Sequence, residues 1–243
     1  GDSYVNSGGR YIDISQTFSR EKFFFDTIKE KLNINVPHIY IVNDTYEEFN
    51  SIYEIYDYIE GHSLEELGDQ YLDDKIYYEL GRIIAGINKI KLNDKNVGEE
   101  TWGKFFSERL KERLIPLKKE NIINDNEIQR IYYFYKTYQY EEGMAFLHLD
   151  VRKSNIIYDN GLLGLVDAEN VEFGDPLFEI ARIDVYGEMK SCFYKGYMDE
   201  MGLKEIKRES MQYYGYRLEA LAFLTNVFIN EIEIDASERE KKI

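Results

Sequence analysis

A single cysteine, Cys192, stands among 243 residues, so no disulfide can form within the chain. A reducing compartment is the simpler reading, and a cytoplasmic location is expected. No run of about 18 apolar residues occurs, which excludes a transmembrane helix. The opening stretch Gly1–Gly9 is polar and lacks the apolar centre of a signal peptide. Positive charge is scarce: 30 Lys and Arg face 46 Asp and Glu, for a formal net charge of −16. Such a surface repels nucleic-acid backbones and anionic membranes, so neither is an expected partner. It favours a cationic small molecule, although solubility alone accounts for it equally well. Internal repeats, low-complexity tracts and long linkers are absent too.

What is present suits a folded core. Hydrophobic residues make up 44% of the chain and aromatics 15%, chiefly as 22 tyrosines fit for half-buried walls. Arg10–Ser15 reads as a short strand. A helix follows from Arg20 to Leu32, with Thr17 or Ser19 as its cap. His38–Val42 and Ser51–Ile59 read as strands. After Gly61 the period turns helical. Ile76, Leu80, Ile83, Ile87 and Ile90 share one face of a helix over Asp74–Lys91. Further helices are expected over Thr101–Lys119 and Asn126–Gln139. Near the end Met211, Tyr214, Leu218, Leu221, Thr225, Phe228 and Ile232 form a stripe that reads as a packed core face. A hinge near Asp57–Gly61 divides an N-terminal lobe, residues 1–58, from a mostly helical lobe, residues 59–243.

The informative segment runs from Phe146 through Leu147-His148-Leu149-Asp150-Val151-Arg152-Lys153-Ser154-Asn155 to Ile156-Ile157-Tyr158. Asp159-Asn160-Gly161 then separates it from Leu162-Leu163-Gly164-Leu165-Val166-Asp167. Asn and Gly tolerate positive φ, so the spacing predicts a tight hairpin of Ile156–Tyr158 and Leu163–Val166. That hairpin brings Asn155 beside Asp167, two oxygen ligands of the kind Mg²⁺ prefers, with phosphates and waters completing its shell. Asp150, five residues before Asn155, is placed to accept the proton of an attacking hydroxyl. Glu169 is either a further carboxylate near the metal or an exposed polar residue. Arg152 and Lys153 are either phosphate contacts or solvated loop charges.

This ordered set, together with Gly174-Asp175-Pro176 and Glu179-Ile180-Ala181, resembles the aminoglycoside phosphotransferase and choline kinase group, distant relatives of the protein kinases. The resemblance implies a two-lobed, kinase-like α+β fold. Asp150 would be the catalytic base, and Asn155 and Asp167 the Mg²⁺ ligands. His148 would tie the loop to the metal segment, and Asp175 would brace the loop beyond it. Tyr53–Leu64 resembles the strand-to-hinge segment, so Tyr56, Asp57 and Tyr58 would hold the base of ATP or GTP. Leu80–Ile87 resembles the long helix that follows. The implied activity is transfer of the γ-phosphate to a hydroxyl of a small, cationic acceptor such as an aminoglycoside or an amino alcohol.

The beginning of the chain departs from that pattern. Glu21 matches the helix glutamate that relatives pair with a phosphate-gripping lysine, but Asp13 stands in the lysine's place. Arg10 points to the opposite face of the strand from Asp13, and Lys22 or Lys29 could reach in from the helix, although nothing in the spacing demands it. The chain starts without Met, and the first two strands and glycine loop of the family are missing or reduced to Gly1–Gly9. Either the natural chain extends further upstream or its nucleotide lobe is degenerate. Two alternatives therefore stand beside the kinase reading: a catalytically weak binding protein on the same fold, and a metabolic sugar or amino-acid kinase.

Overall fold

The structure, a computed structural model, describes residues 4–5, 11–12, 14–32, 34–43, 49, 51, 53–90, 102–140 and 145–240, with side chains between 18 and 229. Asp13, Arg10 and the acidic pairs Glu47-Glu48, Glu99-Glu100 and Glu141-Glu142 lie outside the described residues. In chain order the elements begin with β1 (Tyr4–Val5), β2 (Tyr11–Ile12), α1 (Ile14–Leu32), β3 (Ile39–Asn43), β4 (Tyr53–Tyr56) and β5 (His62–Ser63). There follow α2 (Leu64–Leu67), α3 (Asp74–Asn88), α4 (Trp102–Lys119), α5 (Asp125–Thr137) and β6 (Ala145–Leu147). The remainder is β7 (Ile156–Asp159), β8 (Leu162–Leu165), β9 (Glu172–Gly174), α6 (Pro176–Tyr186), α7 (Ser191–Met201) and α8 (Met211–Glu240). The backbone groups into two compact units. One comprises Gly1–Ile12, Gly98–Glu142 and Arg208–Ile243, the other Asp13–Val97 and Gly143–Lys207. Both sides of the Asp57–Gly61 break fall in the second unit.

In that second unit, α1 begins at Ile14, six residues before the expected Arg20. No Pro or Gly interrupts the stretch, so the helix extends and Thr17 and Ser19 lie inside it rather than capping it. Its buried face carries Phe24, Phe25 and Ile28. The helix α3 starts where expected, because the Asp73 carboxylate accepts the Ile76 N–H at 2.9 Å. Likewise Glu66 and Ser63 close a capping box on α2. Glu66 and Asp73 thus each accept a backbone amide at a helix start.

The helices α3 and α7 meet through glycines. A Cβ on Gly81 would collide with the Phe193 carbonyl, and one on Gly196 with the Tyr78 carbonyl. Their backbones therefore approach more closely than any side chain permits. Arg82 of α3 and Lys89 at its C-terminal cap strap Glu200 of α7 at 3.2 and 2.7 Å.

The hairpin forms as the sequence predicts. Asn160 and Gly161 take φ of +47° and +94°, and Asp159 pairs with Leu162, Tyr158 with Leu163. Not foreseen is the antiparallel pairing of β6 with β9, Phe146 opposite Phe173, which ties the strand entering the loop at His148 to the strand following Asp167.

In the first unit, α4 and α5 form close to their expected bounds. The helix α8 also forms, but its apolar stripe is not its core face. Met211, Tyr214, Leu221 and Phe228 are exposed, while Tyr213, Tyr216, Glu219, Ala220 and Asn226 are buried. Directional bonds fix the rotation. Buried Glu219 lies 2.7 Å from Arg109 and 3.4 Å from Arg113, the Asn226 amide donates to the Arg113 carbonyl at 2.9 Å, and Trp102 Nε1 donates to Tyr216 at 2.7 Å. Leaving Arg109 or Glu219 buried without its partner would cost more than exposing a few apolar side chains. Among the described residues, no helix is long and apolar enough to cross a membrane.

Candidate active site

The strand β6 delivers the chain into His148-Leu149-Asp150, and a single 3₁₀ turn over Lys153–Asn155 passes it on to β7. Asp150 is 5% exposed and its carboxylate is closely held. Asn155 Nδ2 donates to its Oδ2 and to its main-chain oxygen, both at 3.1 Å, and the Tyr186 hydroxyl donates to Oδ1 at 3.0 Å. Arg152 lies against the same carboxylate. Its Nη2 donates to Oδ2 at 3.1 Å, and its Nε is 2.8 Å from Oδ1, an ion pair by distance without hydrogen-bond alignment. Lys153 turns away to Asp69 at 2.7 Å.

The Asn155 main chain accepts the Val166 N–H at 3.1 Å, which fixes the loop to the end of β8, one residue before Asp167. With its amide nitrogen committed to Asp150, Asn155 keeps its side-chain oxygen, which takes only the Ser154 hydroxyl at 3.2 Å. Asp167 is exposed and left-handed, with φ +59°. Its carboxyl is held above the usual range by crowding protein atoms and by the charge of Asp150, with Arg152 and the Glu169 N–H pulling back.

His148 is fully buried between these segments. Its Nδ1 accepts the Asp150 N–H at 3.3 Å. Its other edge faces the Val166 backbone closely enough to favour the charged form, though short of full hydrogen-bond geometry. Burial wins and lowers its pKa to about 4, so it stays neutral and bridges without carrying charge. Asp175 caps α6 by accepting the Leu177 N–H at 2.9 Å, and Pro176 occupies the first helical position.

A cavity of about 230 Å³ opens beside Asp167, lined by Glu21, Phe25, Pro37, Ile39, Glu54, Tyr56, Val166, Asp167 and Glu169. Four of these nine are carboxylates and none is a Lys or Arg. Glu21 is 5% exposed, and its Oε1 accepts the Ala168 N–H at 2.8 Å. Burial, then the charges of Glu54, Asp167 and Glu169, push its pKa up to about 7 against the pull of that N–H. Glu54 and exposed Glu169 are raised as well, each first by desolvation. Of the three residues read as a hinge, Tyr56 lines the cavity, whereas Asp57 and Tyr58 do not. The Asp57 amide is spent on the His38 carbonyl at 3.1 Å, and its side chain accepts the Tyr40 hydroxyl at 2.6 Å.

Sequence reasoning thus assembled Asp150, Asn155, Asp167 and His148, and it missed Tyr186, Glu54 and the full engagement of Arg152. No motif announces Tyr186 or Glu54, which come from α6 and β4, and the spacing of Arg152 within the loop does not show that it pairs with Asp150.

The donor set fits a hard cation. Asn155 offers an amide oxygen and Asp167 a carboxylate whose ionisation is opposed by its neighbours, a strain that a divalent charge relieves. Two protein oxygens are few. No group of three His, Cys, Asp or Glu able to hold a metal lies among the described residues, so a cation at Asn155 and Asp167 would need phosphates and water to complete its shell.

A family model described as the phosphotransferase enzyme family matches residues 20–188. No curated protein matches the chain. Among solved structures, a thermostable mutant of aminoglycoside phosphotransferase APH(4)-Ia in apo form is similar at TM-score 0.63 and 15% identity, covering 88% of this chain and 78% of that one. A Haemophilus somnus 129PT protein named as a fructosamine-3-kinase reaches TM-score 0.66 and 18% identity over 89% and 74%. The streptomycin–ATP complex of APH(2")-IIa reaches 0.57 and 18% over 90% and 82%. At such identities the likeness establishes the fold, which is the two-lobed kinase-like α+β class expected from the sequence.

Proposed function

Because the chain belongs to the phosphotransferase enzyme family, its match spanning well over half of the sequence, we propose that it transfers the γ-phosphate of ATP or GTP to a hydroxyl of a small, cationic acceptor with Mg²⁺ present. One observation carries the reading. Asn155 bonds through its side chain to Asp150 and through its main chain to Val166, so a candidate base and two candidate metal oxygens share one end of a rigid hairpin. Asp150 accepts the acceptor's proton, Asn155 and Asp167 hold the cation, and His148 keeps the two segments in register. The bound cation supplies charge neutralisation for the phosphates. Before Asp150 can act, Arg152 must leave it, and the incoming phosphates are the natural counter-charge for the freed guanidinium. Tyr56 borders the nucleotide, and Glu21 steadies the turn at Asp167.

Activity should be assayed as nucleotide consumption across aminoglycosides, amino alcohols, sugars and homoserine in a salt series. For a cationic acceptor, salt should raise KM far more than it alters kcat, since exposed charges are screened beyond about 8 Å at physiological ionic strength. Turnover of neutral acceptors only, or no salt effect on a cationic one, would transfer the assignment to a metabolic sugar or amino-acid kinase. Asp167→Ala or Asn155→Ala should raise the Mg²⁺ concentration for half-maximal rate by about tenfold or more. An unchanged Mg²⁺ response would remove both from the metal site.

The carboxylate-lined cavity favours a second reading, a kinase-fold protein that binds nucleotide weakly. Four acidic groups facing a triphosphate oppose it unless a cation intervenes. A nucleotide thermal-shift series separates the two. Stabilisation that requires Mg²⁺ supports the enzyme, and none under any condition supports the weak binder.

A further inference from the structure

Tyr186 is the last residue of α6, and Gly187 ends that helix at once by turning left-handed, with φ +69°. Arg182 lies one turn earlier, so the two side chains leave the same face of the helix. Arg182 is 1% exposed, and its Nη2 donates to the Tyr186 hydroxyl at 3.1 Å. The hydroxyl donates in turn to Asp150 Oδ1 at 3.0 Å. A buried guanidinium, a phenol and the candidate base thus form one chain of hydrogen bonds.

Chemistry fixes the polarity of that chain. A guanidinium carries donors only, and an ionised carboxylate only accepts. The phenol must therefore accept from Arg182 and spend its one proton on Asp150. Burial holds the Tyr186 pKa above its ordinary value against the pull of Arg182, so the proton stays on the phenol. Arginine does not release a proton either, so the chain offers no exit for the one that Asp150 receives. Its remaining use is orientation.

Arg152 and Arg182 both lie against the Tyr186 ring, at 5.7 and 6.0 Å from its centre. They differ in freedom, because the Arg152 side chain is 40% exposed whereas Arg182 is enclosed. Once Arg152 leaves for the phosphates, Asp150 keeps Asn155 on Oδ2 and Tyr186 on Oδ1. A carboxylate held by one oxygen can pivot, and a bond to each oxygen sets its plane. Glu188, two residues past Tyr186, accepts the Lys153 N–H at 2.6 Å and fixes the backbone of the loop against the end of α6.

We propose that Tyr186, held by Arg182, is a positioning residue of the phosphotransfer reaction, gripping Oδ1 so that the Asp150 carboxylate faces the acceptor hydroxyl. The proposal rests on Asp150 as the base.

Tyr186→Phe deletes the hydroxyl alone. The full chain is assayed with ATP, Mg²⁺ and the fastest acceptor among aminoglycosides, amino alcohols, sugars and homoserine. The kcat should fall by about tenfold to a hundredfold, with KM for ATP and for the acceptor within about twofold. Losing a donor strengthens the carboxylate as a base, so a lower kcat reports lost aim rather than lost basicity. In an Asp150→Ala background the same substitution should change the residual rate by less than about twofold, because Tyr186 acts only through Asp150. Amide exchange over residues 149–155 should stay near wild type, because Asn155 and Glu188 still hold that backbone. Wild-type kcat in Tyr186→Phe, with Asp150→Ala inactive, overturns the proposal and leaves the base in place. An undiminished loss in the Asp150→Ala background, or exchange that quickens in step with the lost rate, overturns it too by making Tyr186 a structural residue. Full turnover by Asp150→Ala, or none by the wild-type chain with any acceptor, overturns the base assignment and the proposal together.

Discussion

Asp150→Ala is expected to lower phosphate transfer by about 10²–10⁴-fold, the usual contribution of a positioned general base, while the chain still melts cooperatively. Removing the carboxylate leaves Asn155 Nδ2 with the Asp150 main-chain oxygen as its remaining partner and frees the Tyr186 hydroxyl. Each lost partner costs about 1–3 kcal/mol if the orphaned group stays buried. The Arg152 side chain is 40% exposed and can turn to water, so its loss costs little. The summed penalty is smaller than the stability of an ordinary domain of about 5–15 kcal/mol. Activity should therefore collapse well before the fold does. Nucleotide consumption and a thermal melt on one preparation check this, and Asp150→Asn, which preserves shape and one acceptor, should be as inactive yet melt closer to wild type. Undiminished turnover in either variant would remove Asp150 from the chemistry.

The second large effect concerns stability. Gly196→Ala and Gly81→Ala should each destabilise the chain by about 2–4 kcal/mol, although alanine is the better helix former by about 1 kcal/mol. Propensity favours the substitution, and sterics oppose it more strongly. A Cβ at either position meets a backbone carbonyl, of Tyr78 or Phe193, and a backbone carbonyl in mid-helix cannot rotate aside as a side chain can. The helices must separate, which loosens buried Tyr77, Leu80 and Phe193 and the Tyr197 hydroxyl bond to Asn88 at 2.8 Å. Asn88 also donates to the Phe146 carbonyl at 2.7 Å, so the disturbance reaches β6 and the loop behind it. Denaturant melts check the magnitude. Wild-type stability in both alanine variants would mean that α3 and α7 pack less closely than described.

Some of this was legible in the residues. The hairpin was, because Asn160-Gly161 is a local signal whose positive φ needs no distant partner. The start of α3 was, because Asp73 caps it three residues from the amide it accepts. Convergence of Asn155 with Asp167 followed from the same hairpin, since strand pairing converts a sequence offset into a spatial one. Where the reading failed, long-range forces had overruled local pattern. The stripe on α8 has helical spacing, yet spacing defines a face without saying whether that face is inward. Glu219 and its two arginines decided that.

The sequence by itself determined the groups available: a candidate base, two candidate metal oxygens and a bridging histidine within 20 residues, set on a hairpin that local turn energetics enforce. Only the tertiary structure decided how these groups are held and what surrounds them. Glu179 reaches His148 and Leu149 from 31 and 30 residues away, and Glu21 reaches Ala168 across 147. Arg152 pairs with the Asp150 carboxylate, and four carboxylates line the neighbouring cavity. The division has a physical cause. Turn and cap preferences act over three or four residues and are written in adjacent letters. Burial, ion pairing and the pKa shifts that follow depend on which distant segments the folded core brings within a few ångströms.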